Sequence, residues 1–450
     1  MDIIKPFIEH ILYPVMEKKN HNRTREYIRA LQQSCEKDQR QLLAAQKEDL
    51  SRLLLHCIHH VPAYAEQAHL EQLIISDPYA ALRQFPLLDK NGFRLDPDSF
   101  ISEGLTKSQL IENTSGGSTG EPLRFYMDRP TAEHYEAARW RGLSWYGITP
   151  GSRSVMIWGN PFELSAMENK KFARQERYLK NRRVIPAYDL REEAMPEHVR
   201  LIESYRPEYI YGYAQALALF CKLVKKLGLE ITLPLKAVVS TSETLYPEDR
   251  KLIAETFRAP VVNEYGARDG GMIAYQCPAG GLHLMAENLV AEVVSIDTHE
   301  PVAPGEKGLL AVTDLHNYSQ PRLRYLLNDE VSLATEPCSC GRPLPCLTEI
   351  YGREDEIFVG VDGRYVNSVA FDNSIKRLEE VEKFQIIQEA PEKARVLMKT
   401  FTGEMPARLD EIKQDYADLL PGTEFTWELV EDIPPTPSGK IRYARREFPL

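Results

Sequence analysis

The densest run of chemistry-bearing residues is Thr114-Ser115-Gly116-Gly117-Ser118-Thr119-Gly120-Glu121-Pro122. Its glycines let the backbone take positive φ and come close to a ligand. Successive N–H groups, with the hydroxyls of Thr114, Ser115, Ser118 and Thr119, can surround phosphate oxygens without any formal charge. A Walker A loop is excluded, because Glu121-Pro122 follows the last glycine where that motif needs Lys and then Ser or Thr. A surface Gly/Ser linker is the competing reading, but strand-like runs at 110–112 and 123–127 flank the segment.

A second group is Cys277-x5-His283 with Cys338-x-Cys340. Three thiolates and an imidazole are the donor set of a closed structural zinc site, and four protein ligands leave no open position for catalysis. The Cys-x-Cys spacing is tighter than the common Cys-x2-Cys. Cys346 is an alternative ligand, and unrelated cysteines in a reducing compartment are the other reading. The chain has 7 cysteines, an odd count without regular spacing, which argues against a secreted disulfide framework.

Certain elements must hold these residues. Positions 11–82 read as mostly helical, with Leu42, Leu50, Leu53, Leu54 and Cys57 at helical spacing. His60-Val61-Pro62 breaks that pattern, since the residue before proline disfavours the helical region. Beyond residue 85, short apolar runs (154–158, 209–211, 237–240, 261–265) alternate with helical segments (132–146, 196–204, 214–227, 247–257), the pattern of an α/β core with a largely parallel sheet. From Leu289 the chain turns β-rich. After 352–356 the tail alternates strands and helices as a small α+β domain. The expectation is a large N-terminal domain, 1–354, with a helical lead-in over 1–85, and a mobile C-terminal domain, 355–450.

The loop at 114–122 resembles the phosphate loop of the adenylate-forming superfamily, which includes acyl- and aryl-CoA ligases. Further segments resemble that family's motifs in order. Ser240-Thr241-Ser242-Glu243 is similar to its adenine-contacting loop. Asn263-Glu264-Tyr265-Gly266-Ala267-Arg268-Asp269 is similar to the segment whose Tyr stacks on adenine and whose acid holds Mg²⁺. Leu323-Arg324-Tyr325 followed by Asp329 resembles the motif whose Asp binds the ribose hydroxyls. Gly352-Arg353-Glu354-Asp355 resembles the hinge, with Arg353 on ribose or phosphate and Asp355 as pivot. Pro434-Pro435-Thr436-Pro437-Ser438-Gly439-Lys440 resembles the tail that carries a catalytic Lys. These segments span 114–440, roughly three quarters of the chain. Leu54-Leu55-His56, Val61-Pro62-Ala63-Tyr64 and the cysteine segments resemble phenylacetate–CoA ligases and their capsular-polysaccharide-type relatives. Two departures stand out: Arg268 replaces the family's Thr, and Asp269 its Glu.

The resemblance implies ATP, Mg²⁺ and coenzyme A as ligands and a homodimer as the assembly. It also implies a tail domain that swings about Asp355 to admit a thiol. In such a reaction two anions meet, a carboxylate and the α-phosphate, so catalysis is chiefly charge neutralisation and alignment. Lys440 would bridge the two, and Ser118 and Thr119 would grip the terminal phosphates. Tyr135, Trp140 and Tyr213, with Arg268, are the acid-pocket candidates, although aromatics at helical spacing are more often core.

Composition excludes other classes. A net charge of −11 argues against a general nucleic-acid binder. No apolar run approaches the ~20 residues of a spanning helix, and Met1–His10 lacks signal-peptide features, so the expected location is cytoplasmic. Two alternatives remain open at this point. One is an adenylating ligase that passes its acyl group to an amine, hydroxyl or carrier thiol. The other is a non-catalytic nucleotide-binding relative. A kinase is disfavoured, for neither a P-loop Lys nor a kinase catalytic loop is present.

Overall fold

The computed structural model describes residues 4–34, 38–114, 123–158, 174–187, 190–353, 357–434 and 442–448. They form two compact units, Met1–Ser152 with Val262–Ile350, and Arg153–Val261 with Tyr351–Leu450.

The first unit begins with helices. Gln39–His60 starts at a capping box in which Asp38 accepts from the Gln41 N–H and the Gln41 side chain accepts from the Asp38 N–H. It ends where Val61, before Pro62, turns extended (φ −121°, ψ 111°), as the X-Pro restriction requires. Leu50, Leu53, Leu54 and Cys57 on one face are fully buried. That face packs on a sheet whose neighbouring strands run Leu289–Val294, Lys307–Asp314, Tyr325–Leu333, Cys346–Arg353, Leu282–Leu284, Gly271–Gln276 and Val261–Ala267. Ile273, Leu284, Val290, Leu310, Val312, Tyr325 and Leu327 are the sheet's side of this core. Each fully buried aliphatic side chain contributes about 1.5–3 kcal/mol.

Arg153–Val261 in the second unit carries the parallel part. Ala237–Thr241, Tyr209–Tyr213, Ser154–Trp158 and Arg182–Pro186 are neighbours in that order, all parallel. Met195–Tyr205, Ala214–Lys226 and Pro247–Phe257 bury their apolar stripes against it. The parallel sheet expected from the α/β alternation is present in these strands. The run at 261–265 also opens an antiparallel hairpin with Gly271–Gln276, so the β-rich part starts there rather than at Leu289. The reason is local: only the Arg268–Gly270 turn separates the two strands, too short for the helical crossover that parallel pairing needs.

Tyr351–Leu450 folds as a four-stranded sheet in the order Glu424–Leu429, Lys393–Thr400, Val381–Ala390, Ala444–Arg446. The helices Val369–Ile375 and Leu409–Leu419 pack on it around Phe358, Phe371, Phe384 and Tyr416.

Candidate nucleotide site and metal centre

In the first unit, the adenine-segment and ribose-motif residues meet. Tyr265 lies near the end of Val261–Ala267, and Asp329 lies in Tyr325–Leu333. The Tyr265 hydroxyl donates to Asp329 Oδ2 at 2.6 Å, and both side chains keep partial exposure. The turn that follows ends at Gly271, whose φ of +79° and the Tyr135 ring 2.6 Å from any added Cβ restrict the position to glycine. Asp269, in that turn, is only 6% exposed. Its Oδ2 accepts from the Tyr325 hydroxyl at 3.0 Å and lies 3.7 Å from Lys90 Nζ. Its backbone carbonyl accepts from Arg322 Nη2 at 3.0 Å. Burial, and secondly the Asp269 charge, push the Tyr325 phenol well above its ordinary value, which keeps it a donor. The Asp269 carboxylate is a hard oxygen donor of the kind that holds Mg²⁺ together with phosphate oxygens.

Thr114 closes the strand Ile111–Thr114, paired antiparallel with Arg124–Met127. Its carbonyl accepts from Arg268 Nη1 at 3.3 Å, so Arg268, though exposed, spans from the adenine segment to the start of the phosphate loop. Ser115, Gly116, Gly117, Ser118, Thr119 and Gly120 lie outside the described residues, as do Asp355 and Lys440. Arg353 ends the strand Cys346–Arg353, and its side chain also lies outside them.

The acid-pocket candidates have structural engagements. Tyr135 hydrogen-bonds Asp314 through its hydroxyl. Trp140 is buried, with Nε1 donating to Glu136 Oε1 at 2.8 Å. In the second unit, Tyr213 is buried against the Trp158 ring at 3.9 Å. There too Ser242 adopts φ 69°, a left-handed conformation costly for a residue with a Cβ and concentrated at functional sites. Glu243 Oε2 accepts from the Gln215 N–H at 2.9 Å. That carboxylate satisfies a free donor in the first turn of Ala214–Lys226.

The cysteine–histidine quartet assembles within the first unit. The donor atoms of Cys277, His283, Cys338 and Cys340 all lie within 4.8 Å of one another. Cys277 Sγ and Cys338 Sγ are 3.7 Å apart, close to the separation of about 3.8 Å that a tetrahedral ion with ~2.3 Å bonds to sulfur imposes. His283 turns Nε2 toward Cys340 Sγ at 3.1 Å, while Nδ1 faces the Leu344 carbonyl at 3.1 Å. A ligating imidazole is usually held by such a carbonyl on its other nitrogen. Gly281 makes room, since a Cβ there would lie 2.5 Å from Cys338 Sγ. The donor set and spacing fit zinc. Cys346 stands on the opposite side of the ring, 3.3 Å from Nδ1. The four donors that converge most tightly are Cys277, His283, Cys338 and Cys340, with Cys346 packed beside them. Burial pushes the Cys277 thiol up to about 11. At Cys340 burial also opposes the thiolate, but hydrogen bonds, chiefly from Arg342, outweigh it and leave the thiol below its ordinary value.

Sequence reasoning missed Lys90, Tyr325 and Arg322 as neighbours of Asp269. Tyr325 sat inside a quoted motif, yet nothing local marked its hydroxyl. Lys90 looks like any helix-start lysine.

This architecture is the fold of the adenylate-forming acyl- and aryl-CoA ligases. A solved structure of 2-hydroxyisobutyryl-CoA ligase in the postadenylation state superposes with a TM-score of 0.69 at 18% identity, covering 89% of each chain. The chain is 25% identical over 369 residues to Protein CapK of Staphylococcus aureus, covering 81% of this chain and 80% of that one. It is 27% identical over 332 residues to phenylacetate-coenzyme A ligase of Thermus thermophilus, covering 71% and 72%. Residues 358–447 match the family model of the CapK C-terminal domain. No described helix is long and apolar enough to cross a membrane.

Proposed function

We propose that the chain uses ATP to convert an aryl or modest-sized carboxylic acid to its acyl-adenylate and then transfers the acyl group to coenzyme A. The observation that carries the reading is the convergence of Tyr265 with Asp329, beside Asp269 with its own donors, in a fold shared with AMP-forming CoA ligases. Tyr265 would offer its ring face to adenine and Asp329 its carboxylate to the ribose hydroxyls. Asp269 would hold Mg²⁺, which when bound supplies neutralisation of phosphate charge. The loop at 115–120 would wrap the phosphates. Lys440 would bridge the acid and the α-phosphate as a compact point charge. Asp355 is the proposed pivot between 1–354 and 355–450, with Arg353 beside it on the nucleotide. Zinc is proposed at Cys277, His283, Cys338 and Cys340, where it would tie the loop after the adenine hairpin to the 338–340 loop.

A second reading keeps adenylation but delivers the acyl group to an amine, hydroxyl or carrier thiol. The CapK match of residues 358–447 and the Arg at position 268 favour weighing it.

The deciding experiment measures acid-dependent pyrophosphate release from Mg·ATP across aryl and short acyl acids, for wild type and Lys440→Ala. Release with one acid, lost in the variant while ATP still binds, is the expected result. Release that survives Lys440→Ala would overturn the role given to that residue. Turnover on adding coenzyme A, or its absence with coenzyme A and presence with another acceptor, separates the two readings.

A further inference from the structure

We propose that Lys90 is a phosphate-binding residue, a cation that grips the triphosphate end of the nucleotide beside Asp269. This rests on the nucleotide reading above and extends it to a residue in the segment just beyond the helical lead-in.

Its mount is rigid. Leu88 pairs with the start of Tyr325–Leu333: its N–H donates to the Arg324 carbonyl at 3.1 Å, and its carbonyl accepts from Leu326 at 2.9 Å. The strand carrying Tyr325 and Asp329 therefore also sets the position of the residues that follow Leu88. Asp89 then caps the short helix Lys90–Leu95, accepting from the Gly92 N–H at 2.6 Å. Phe93 in that helix is fully buried beneath the Arg322 guanidinium, 5.6 Å from its ring centre. Arg322 in turn donates to the Asp269 carbonyl. Lys90, Arg322, Tyr325 and Asp269 are thus fixed to one framework.

The Lys90–Asp269 pair itself is unclosed. At 3.7 Å it exceeds hydrogen-bond length, whereas Tyr325 donates to the same oxygen at 3.0 Å. The Lys90 side chain keeps 21% exposure against 6% for Asp269. An ammonium that only neutralised a buried carboxylate would gain most by contact distance, since leaving the charge poorly paired is costly. Held short of contact and open to solvent, Lys90 can instead turn to an anionic oxygen arriving at Asp269. Mg-bound ATP remains an anion, so a lysine here adds countercharge at its phosphates.

Binding separates this role from plain support of Asp269. Affinities for Mg·ATP and for AMP are measured by calorimetry on wild type, Lys90→Met and Lys90→Arg, with thermal midpoints as a check on folding. Losing one charge-assisted contact should weaken ATP about tenfold or more, with AMP binding unchanged. Lys90→Arg should recover most of the loss. If Lys90→Met proves unstable, Lys90→Gln gives the same comparison. An equal loss for ATP and AMP would show that Lys90 only positions Asp269, and no loss for either would show no role. Both results overturn the proposal. A wild type that binds neither nucleotide overturns the nucleotide reading itself, a result distinct from failure at Lys90.

Discussion

Lys376, just past the helix Val369–Ile375, forms a buried ion pair with Asp249 in the first turn of Pro247–Phe257, the two side chains being 3% and 5% exposed. The ammonium also lies 3.5 Å from the Tyr246 ring centre and 4.6 Å from that of Tyr443. Burial pulls the lysine below its ordinary range, and Asp249 opposes that pull. Within the second unit, this box joins the C-terminal segment to the residues just after Ser242 and Glu243.

Removing one partner leaves an uncompensated buried charge. Asp249→Ala should cost about 3–5 kcal/mol of unfolding free energy. The double variant Lys376→Met/Asp249→Leu should lie nearer wild type, because neither member of the pair is left without its partner. Urea midpoints check both. A double variant as unstable as Asp249→Ala would show that packing of these side chains matters more than their charge.

Asp372 accepts from the Tyr246 hydroxyl at 2.5 Å. Burial raises its carboxyl to about 7, with the Tyr246 hydrogen bond and Lys376 working against that rise and Asp249 adding to it. The unfolded value is near ~3.9. The folded state therefore holds a proton that the unfolded state has released, and stability falls as pH rises from the unfolded value to the folded one, by at most roughly 1.4 kcal/mol per pH unit. Below both values, and again above both, this group adds no slope. Asp372→Asn should gain on wild type progressively from pH 4 to 7 and then hold a constant difference. Thermal midpoints across that range test it, and a difference independent of pH would refute it.

Asp329→Ala should weaken AMP and ATP equally, by about 10- to 100-fold, the worth of hydrogen bonds to a charged group. Tyr265→Phe keeps the ring and loses only the hydroxyl that donates to Asp329. It should cost a few-fold, whereas Tyr265→Ala also forfeits stacking, about 1–3 kcal/mol. Nucleotide titrations decide. Equal losses in Phe and Ala variants would remove the stacking role.

Purified protein should carry one zinc per chain at the quartet, lost in Cys338→Ser and retained in Cys346→Ser, as metal analysis would show. Chelation should lower the thermal midpoint of wild type. Zinc that disappears with Cys346→Ser but survives Cys338→Ser would reverse the ligand assignment.

Much of the fold was legible because its signals are local. Pro247–Phe257 begins at a proline and ends where Arg258 turns left-handed, and the strands at 154–158 and 424–429 stand where apolar and β-favouring runs placed them. Tyr265, Asp329 and the quartet could be singled out by motif, and the structure brings Tyr265 to Asp329 and the quartet's four donors together. The hairpin after Ala267 was less legible, since its first strand has the apolar pattern of any crossover strand and only the turn that follows marks it.

The sequence by itself determined which residues could bind nucleotide or metal, since residue type and spacing set that chemistry. Tertiary structure alone decided how they are used. Only folding brings Lys90 and Tyr325 to Asp269, from segments far apart along the chain. Only folding orients the His283 ring so that Nε2 faces Cys340 while Nδ1 faces the Leu344 carbonyl and Cys346. The Lys376 box likewise has no local signature. Its stability comes from charges and rings brought together after long loops close, and no neighbouring residue encodes that contact.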